Sequence, residues 1–115
     1  NHELSSAYAN SMLLASTPLI AESPSLVILE ALSSNLPVIT YDVGALKEAV
    51  QNGKYGTVIR KNDIAALAKG LNTCISNIKN GKFDLFNPRE EYIMDYCSPI
   101  KVINQFSELY SSMLD

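Results

Sequence analysis

The sequence predicts an α/β fold: a small parallel sheet with flanking helices and a helical C-terminal tail. Three observations carry this. Short apolar runs alternate with helical patterns, Gly, Pro and Asn punctuate the short links between them, and strand signals stop after Ile59. Strands and helices that alternate over short links build a parallel sheet with right-handed crossovers.

Taken in order, Leu4 to Asn10 reads as a short helix closed by Asn10, a residue that tolerates a left-handed terminus. Met12 to Ala15 is an apolar run suited to a strand buried on both faces. A helix follows from about Pro24 to Ser34, with Ser23 as its N-cap, Pro24 at the first position, and Leu26, Leu29 and Leu32 at helical spacing. Asn35 stands where the helix end needs positive φ, and Pro37 opens a strand over Val38 to Tyr41. Gly44 turns the chain into a short helix over about Ala45 to Gln51, Asn52-Gly53 marks a turn, and Thr57 to Ile59 is a third strand.

From Asn62 one long amphipathic helix is expected. Asn62 or Asp63 caps it, Ile64, Leu67, Ala68, Leu71, Ile75 and Ile78 lie on one face, and Asn80-Gly81 closes it. The rest is helical, ending in a helix from near Ser98-Pro99 with a stripe of Ile100, Ile103, Phe106, Leu109 and Tyr110. Three parallel strands leave the first with an unpaired edge, so the sheet reads as half of a domain. The chain also opens on Asn1 rather than Met, as an excised or processed piece would.

An apolar share of 47% and a net charge of −3 belong to an ordinary globular chain of 115 residues, which argues against disorder. Nine basic residues are scattered among twelve acidic ones, so no nucleic-acid footprint and no cationic membrane-binding stripe is expected. The apolar runs are too short to span a bilayer, and a cytoplasmic location is expected. Cys74 and Cys97 lack metal-ligand spacing and read as two reduced, partly buried thiols. His2 has no placed partner and reads as an exposed residue rather than a base.

The most informative local feature is a pair of glutamates, Glu22 and Glu30, on either side of the helix start. The first free N–H groups of that helix, at Ser25, Leu26 and Val27, form a ready site for phosphate at the positive end of its dipole. Two carboxylates beside an anion make sense when the ligand also carries hydroxyls, because carboxylates are strong acceptors for sugar O–H donors. A sugar nucleotide has both groups.

The run Tyr8 to Ser16, then Glu22 to Ala31, then Leu36 to Glu48 resembles the group 1 glycosyltransferases of the GT-B type. In that family the segment reads approximately E-G-F-G-L-x-x-x-E-A, then G-x-P-V-V/I, then D-V-G-G-x-x-E. The resemblance covers about residues 4 to 80 and implies a Rossmann-like domain, with 1–82 as a donor-binding α/β region and 83–115 as a helical segment of the same domain. It further implies three more strands upstream and a separate N-terminal domain before them.

The activity implied is transfer of a hexose from a nucleoside diphosphate sugar to an acceptor, with retention at the anomeric carbon. By resemblance Glu30 accepts hydrogen bonds from the ribose hydroxyls, and Glu22 faces the transferred sugar and stabilises the oxocarbenium-like charge as the bond to phosphate breaks. The donor set is then Glu22, Ser23, Ser25, Leu26, Val27 and Glu30, with Glu22 catalytic. No metal and no resident cofactor is implied, since helix dipole and basic side chains take the cation's place. The acceptor, a carbohydrate or a lipid-linked one, would bind through the N-terminal domain, and peripheral membrane association is an expectation for the complete protein. This segment alone is expected to be inactive.

Plainer readings stand beside these. Glu30 could be a solvated helix glutamate, and Glu22 could complement the helix dipole, worth about 0.3–1 kcal/mol. Asp42 sits at the cleft edge or caps a helix, Gly44 and Glu48 read as structural, with Glu48 near Lys47 and Lys54, and Lys47, Lys54, Arg60 and Lys61 read as a solvated face. The chain departs from the family where Ser23, Pro24 and Ser25 replace Gly-Phe-Gly: the backbone loses the freedom of two glycines, and Pro24 offers no N–H. Asn35 for Gly is milder. The rivals are a non-catalytic interaction module derived from a transferase and a sugar-nucleotide epimerase on the same fold, and the sequence upstream of Asn1 discriminates them.

Overall fold

A computed structural model describes residues 2–20 and 26–114. In order come α1 (His2–Ala9), β1 (Leu14–Ser16), α2 (Leu26–Ser33), β2 (Val38–Tyr41), α3 (Leu46–Ala49), a 3-10 turn (Gln51–Gly53) and β3 (Gly56–Ile59). Then follow α4 (Ile64–Lys79), a π-helical turn (Arg89–Ile93) running into α5 (Met94–Tyr96), and α6 (Pro99–Leu114). The three strands form one parallel sheet in the order β1-β2-β3, with Val38 opposite both Leu14 and Gly56. The α/β class and the helical tail are as the sequence predicts.

The central strand β2 is buried along its whole length. Its neighbours leave it no solvent-facing side, which is why Val38-Ile39-Thr40-Tyr41 shows no polar alternation. Each face of the sheet has its own cover. On the face of Ile39 and Ile59, α4 approaches so closely that a Cβ on Gly70 would lie 2.7 Å from Ile39 Cδ1. On the opposite face, a Cβ on Gly56 would lie 2.8 Å from Val50 Cγ1 and 3.0 Å from the Val38 carbonyl oxygen. Ile28, Leu32, Ile39 and Val50 are fully buried and belong to one continuous core.

Several sequence expectations need correction. The first strand runs over Leu14–Ser16 rather than Met12 to Ala15, and it is only partly buried, with Met12 about half exposed. An edge strand has one neighbour, so a run of apolar residues does not guarantee cover on both faces. Asn10 does not adopt positive φ; its backbone N and Nδ2 both donate to the Ser6 carbonyl oxygen, at 3.0 and 2.9 Å. The buried stripe of α2 is Ile28, Ala31 and Leu32, not Leu26, Leu29 and Leu32. This helix is apolar nearly all round, so spacing alone could not say which side packs. On α4, Ile64 and Ala68 are exposed, while Cys74 is buried and Leu67 and Leu71 are partly so. The expected cap at Ser23 and Pro24 lies outside the described residues.

Other punctuation reads correctly. Asp63 caps α4, its Oδ1 accepting from Ala66 N at 2.9 Å, and Asn62, Gly44 and Gly81 have positive φ. Asn35 has φ 55° and does more than turn the chain: its Oδ1 accepts from Arg89 N at 3.0 Å, capping the π-helical turn 54 residues away. Asn35→Gly keeps the backbone conformation and loses the cap, an expected cost of about 0.5–1 kcal/mol. Asn35→Ala loses both and should cost about 2 kcal/mol, the cap plus the left-handed penalty. Urea midpoints of the two variants check this ordering.

The segment after α4 is held by aromatic contacts. Tyr55 and Tyr92 stack with centroids 5.3 Å apart and planes 3° apart, Tyr55 Oη donates to Glu91 Oε2 at 3.1 Å, and Pro88 is buried. By contrast α6 contains no buried residue, and its stripe of Ile100, Ile103, Phe106, Leu109 and Tyr110 is open to solvent. Its link back to the fold includes an exposed ion pair, Lys101 Nζ to Asp95 Oδ2 at 2.7 Å. Such pairs contribute little to stability.

Candidate functional site

The sheet's geometry places α2. The chain leaves the C-terminal end of β1 at Ser16, and α2 then carries it back to the start of β2 at Val38. The N-terminal end of α2 therefore lies toward the carboxyl ends of the strands, the rim where open α/β sheets take their ligands. Leu26 and Val27 open the described helix and are exposed, at 61% and 48%. Apolar side chains left in solvent at the ligand rim cost the fold burial it would otherwise gain.

Glu30 lies one turn further on, exposed to solvent. Its Oε2 accepts a hydrogen bond from Tyr8 Oη at 2.9 Å, across 22 residues of sequence. Burial, followed by this hydrogen bond and the carboxylate's charge, pushes the Tyr8 phenol above its ordinary pKa. Tyr8 reaches Glu30 with its ring packed against the core, while the other residues of α1 are exposed. Glu30 is thus neither buried nor simply solvated. Tyr8 as its partner was not legible from periodicity, because nothing in the local pattern of α1 points at α2.

Glu22, Ser23 and Ser25 lie outside the described residues. Asp42 is exposed, and its backbone N donates to the Ile59 carbonyl oxygen at 2.8 Å. Gly44 has φ 54°, which a turn at this position requires. Glu48 is exposed and enters no ion pair among the described residues. Lys47, Lys54, Arg60 and Lys61 are all exposed, as a solvated face should be, with Lys54 Nζ 5.0 Å above the Tyr55 ring.

Neither cysteine is in a disulfide. Cys74 is buried, which raises its thiol pKa and keeps it a poor nucleophile, whereas Cys97 is exposed rather than partly buried. Among the described residues no group of three His, Cys, Asp or Glu side chains could hold a metal ion, and no helix is long and apolar enough to cross a membrane.

A cavity of about 450 Å³ opens elsewhere, lined by Val38, Lys54, Tyr55, Gly56, Phe86 and Glu91 among others. Val38 and Gly56 are the first residues of their strands, so this cavity is at the amino ends of the sheet, away from Leu26, Val27 and Glu30. The carboxyl-end rim is the better candidate, because helix N-termini and strand ends converge there.

A three-stranded parallel sheet flanked by helices, with the described start of α2 toward its carboxyl rim and Glu30 one turn on, defines an α/β domain whose strand-end rim is the candidate site. Residues 2–77 match the family model described as glycosyl transferases group 1, and the chain belongs to that family. It is similar to a D-inositol 3-phosphate glycosyltransferase of Nocardia farcinica (strain IFM 10152), 36% identical over 64 residues. That match covers 56% of this chain and 14% of the relative, so the chain spans far less than two thirds of that enzyme's length.

Proposed function

We propose that this chain supplies the donor-binding side of a nucleotide-sugar-dependent glycosyltransferase. The observation that carries the reading is Glu30, a solvent-open carboxylate held by Tyr8 one turn inside a helix that starts at the carboxyl rim of the sheet. Its family membership supports it. In this reading the N–H groups of Ser25, Leu26 and Val27 hold the diphosphate, Glu30 accepts from the ribose hydroxyls, and Ser23 contributes a hydroxyl to the sugar-facing loop.

Glu22 faces the transferred hexose. As the anomeric C–O bond to phosphate breaks, positive charge develops on the sugar ring, and a fixed carboxylate stabilises it. The leaving diphosphate is neutralised by helix dipole and basic side chains without a metal ion, and the new bond forms with retention. The acceptor is a hydroxyl compound bound largely by a separate N-terminal domain. The complete protein works in the cytoplasm, with peripheral association to membranes where its acceptor is lipid-linked.

The test is a transfer assay on the full protein with uridine, guanosine and adenosine diphosphate hexoses, run with chelator present. The acceptors offered are free sugars, a lipid-linked sugar and inositol phosphate, the last because the relative's name carries it. Expected is a product whose anomeric proton coupling matches that of the donor, unaffected by the chelator. Absence of both transfer and donor hydrolysis with every pair contradicts the enzymatic reading, and the Ser23-Pro24-Ser25 loop then marks a non-catalytic module.

A further inference from the structure

We infer that Tyr8 is a positioning residue for Glu30, locking that carboxylate in the orientation that receives ribose; this rests on the donor-binding reading above. A glutamate on an exposed helix face samples many rotamers, and ordering it on binding costs affinity. Here the side chain is already ordered. Tyr8 Oη donates to Glu30 Oε2 at 2.9 Å, while the Tyr8 ring is packed against the core beneath it. The bond uses one acceptor position of one oxygen. A carboxylate has about four, so Oε1, which has no donor among the described residues, stays open to a ligand hydroxyl.

Tyr8 also ties α1 to the rest of the fold. No residue of that helix is buried, and its Ser6, Asn10 and Ser11 side chains bond only within the helix and its terminal turn. The half-buried Tyr8 ring and its hydroxyl bond join α1 to α2. A phenol suits this task because its rigid ring delivers a donor at fixed height with few rotatable bonds to order. The raised phenol pKa keeps the proton on Tyr8, so it remains the donor throughout the physiological range.

The experiment measures binding of uridine, guanosine and adenosine diphosphates to the full protein by calorimetry, each against its 2′,3′-dideoxy form. Wild type, Tyr8→Phe, Glu30→Gln and the double variant are compared. Tyr8→Phe keeps the ring and removes only the hydroxyl. It should weaken the ribose form of the bound diphosphate by about tenfold, leave the dideoxy form unchanged, and add little to Glu30→Gln in the double variant. Equal weakening of both forms, or an unchanged ratio, overturns the proposal.

The two levels separate. If Glu30→Gln collapses the ribose preference and Tyr8→Phe does not, the positioning role falls and the donor-binding reading stands. If wild type binds no diphosphate, or shows no ribose preference, the donor-binding reading fails and takes this inference with it. A ligand-free measurement guards against a variant that fails to fold: in protein labelled with 13C at tyrosine Cζ, the Tyr8 titration should move down in Glu30→Gln. A Tyr8 titration identical in both proteins means the bond is not made in solution, and overturns the proposal by itself.

Discussion

Glu22→Gln in the full protein is expected to lower turnover of the nucleotide sugar by about a hundredfold, the scale of losing one preorganised electrostatic partner of the transition state. Binding of the bare nucleoside diphosphate should change less than about threefold, since that ligand lacks the sugar. Glutamine keeps the size and an acceptor oxygen of glutamate, so what is lost is charge. If Glu22 also complements the helix dipole, as its place in the sequence before the helix suggests, its removal should cost a further 0.3–1 kcal/mol of stability, about the scale of one charge at a helix end. Kinetics with the sugar nucleotide, paired with calorimetry on the diphosphate alone, separates the roles. Equal loss in both would assign Glu22 to the phosphate site or the fold.

Gly56→Val should give the largest loss of stability of any single change considered, at least about 3 kcal/mol by the cost of overpacking a core that cannot relax. At this position even a Cβ meets Val50 Cγ1 at 2.8 Å and the Val38 carbonyl oxygen at 3.0 Å. The first contact can be relieved and the second is backbone of the central strand. Gly56→Ala should therefore cost about 1–3 kcal/mol, partly recovered in Gly56→Ala/Val50→Ala, with the remainder set by the carbonyl. Gly53→Ala is the contrast: nothing lies within 4 Å of the added Cβ, and only its φ of 98° is strained. Urea unfolding of the four variants reads the order directly.

Where the sequence is legible, a local constraint decides the structure. Pro37 and the unbroken run behind it gave β2 its observed bounds, Val38–Tyr41. Asp63 could cap α4 with a local bond, and Gly44 and Asn35 had to supply positive φ for the chain to turn. These are short-range constraints, settled within a few residues. Where the reading slipped, the deciding contact was remote. Met12 to Ala15 is apolar enough for a buried strand, yet as the sheet edge β1 is shifted toward Ser16 and covered poorly. In α2 every candidate stripe was apolar, and only packing against the sheet chose Ile28, Ala31 and Leu32.

The candidate site divides in the same way. Glu30 and its helix follow from the spacing of the glutamates and the residues around them. Its bond to Tyr8 spans 22 residues, and the bond of Asn35 to Arg89 spans 54, so neither leaves a periodic trace. The α6 stripe shows the converse: amphipathic spacing predicted the helix, Pro99–Leu114, but spacing cannot say whether a partner is there to cover it.

The central claim is that Glu30 receives the ribose of a nucleoside diphosphate, and calorimetry of the full protein tests it most directly. Wild type and Glu30→Gln are titrated with uridine, guanosine and adenosine diphosphates at one salt concentration. One of the three should bind the wild type, and Glu30→Gln should weaken that binding by about 1–3 kcal/mol, the scale of losing a charged hydrogen-bond partner, with no change in fold. Equal affinity of the two proteins for the same diphosphate would return Glu30 to the role of a surface glutamate tied to Tyr8, and would contradict the account.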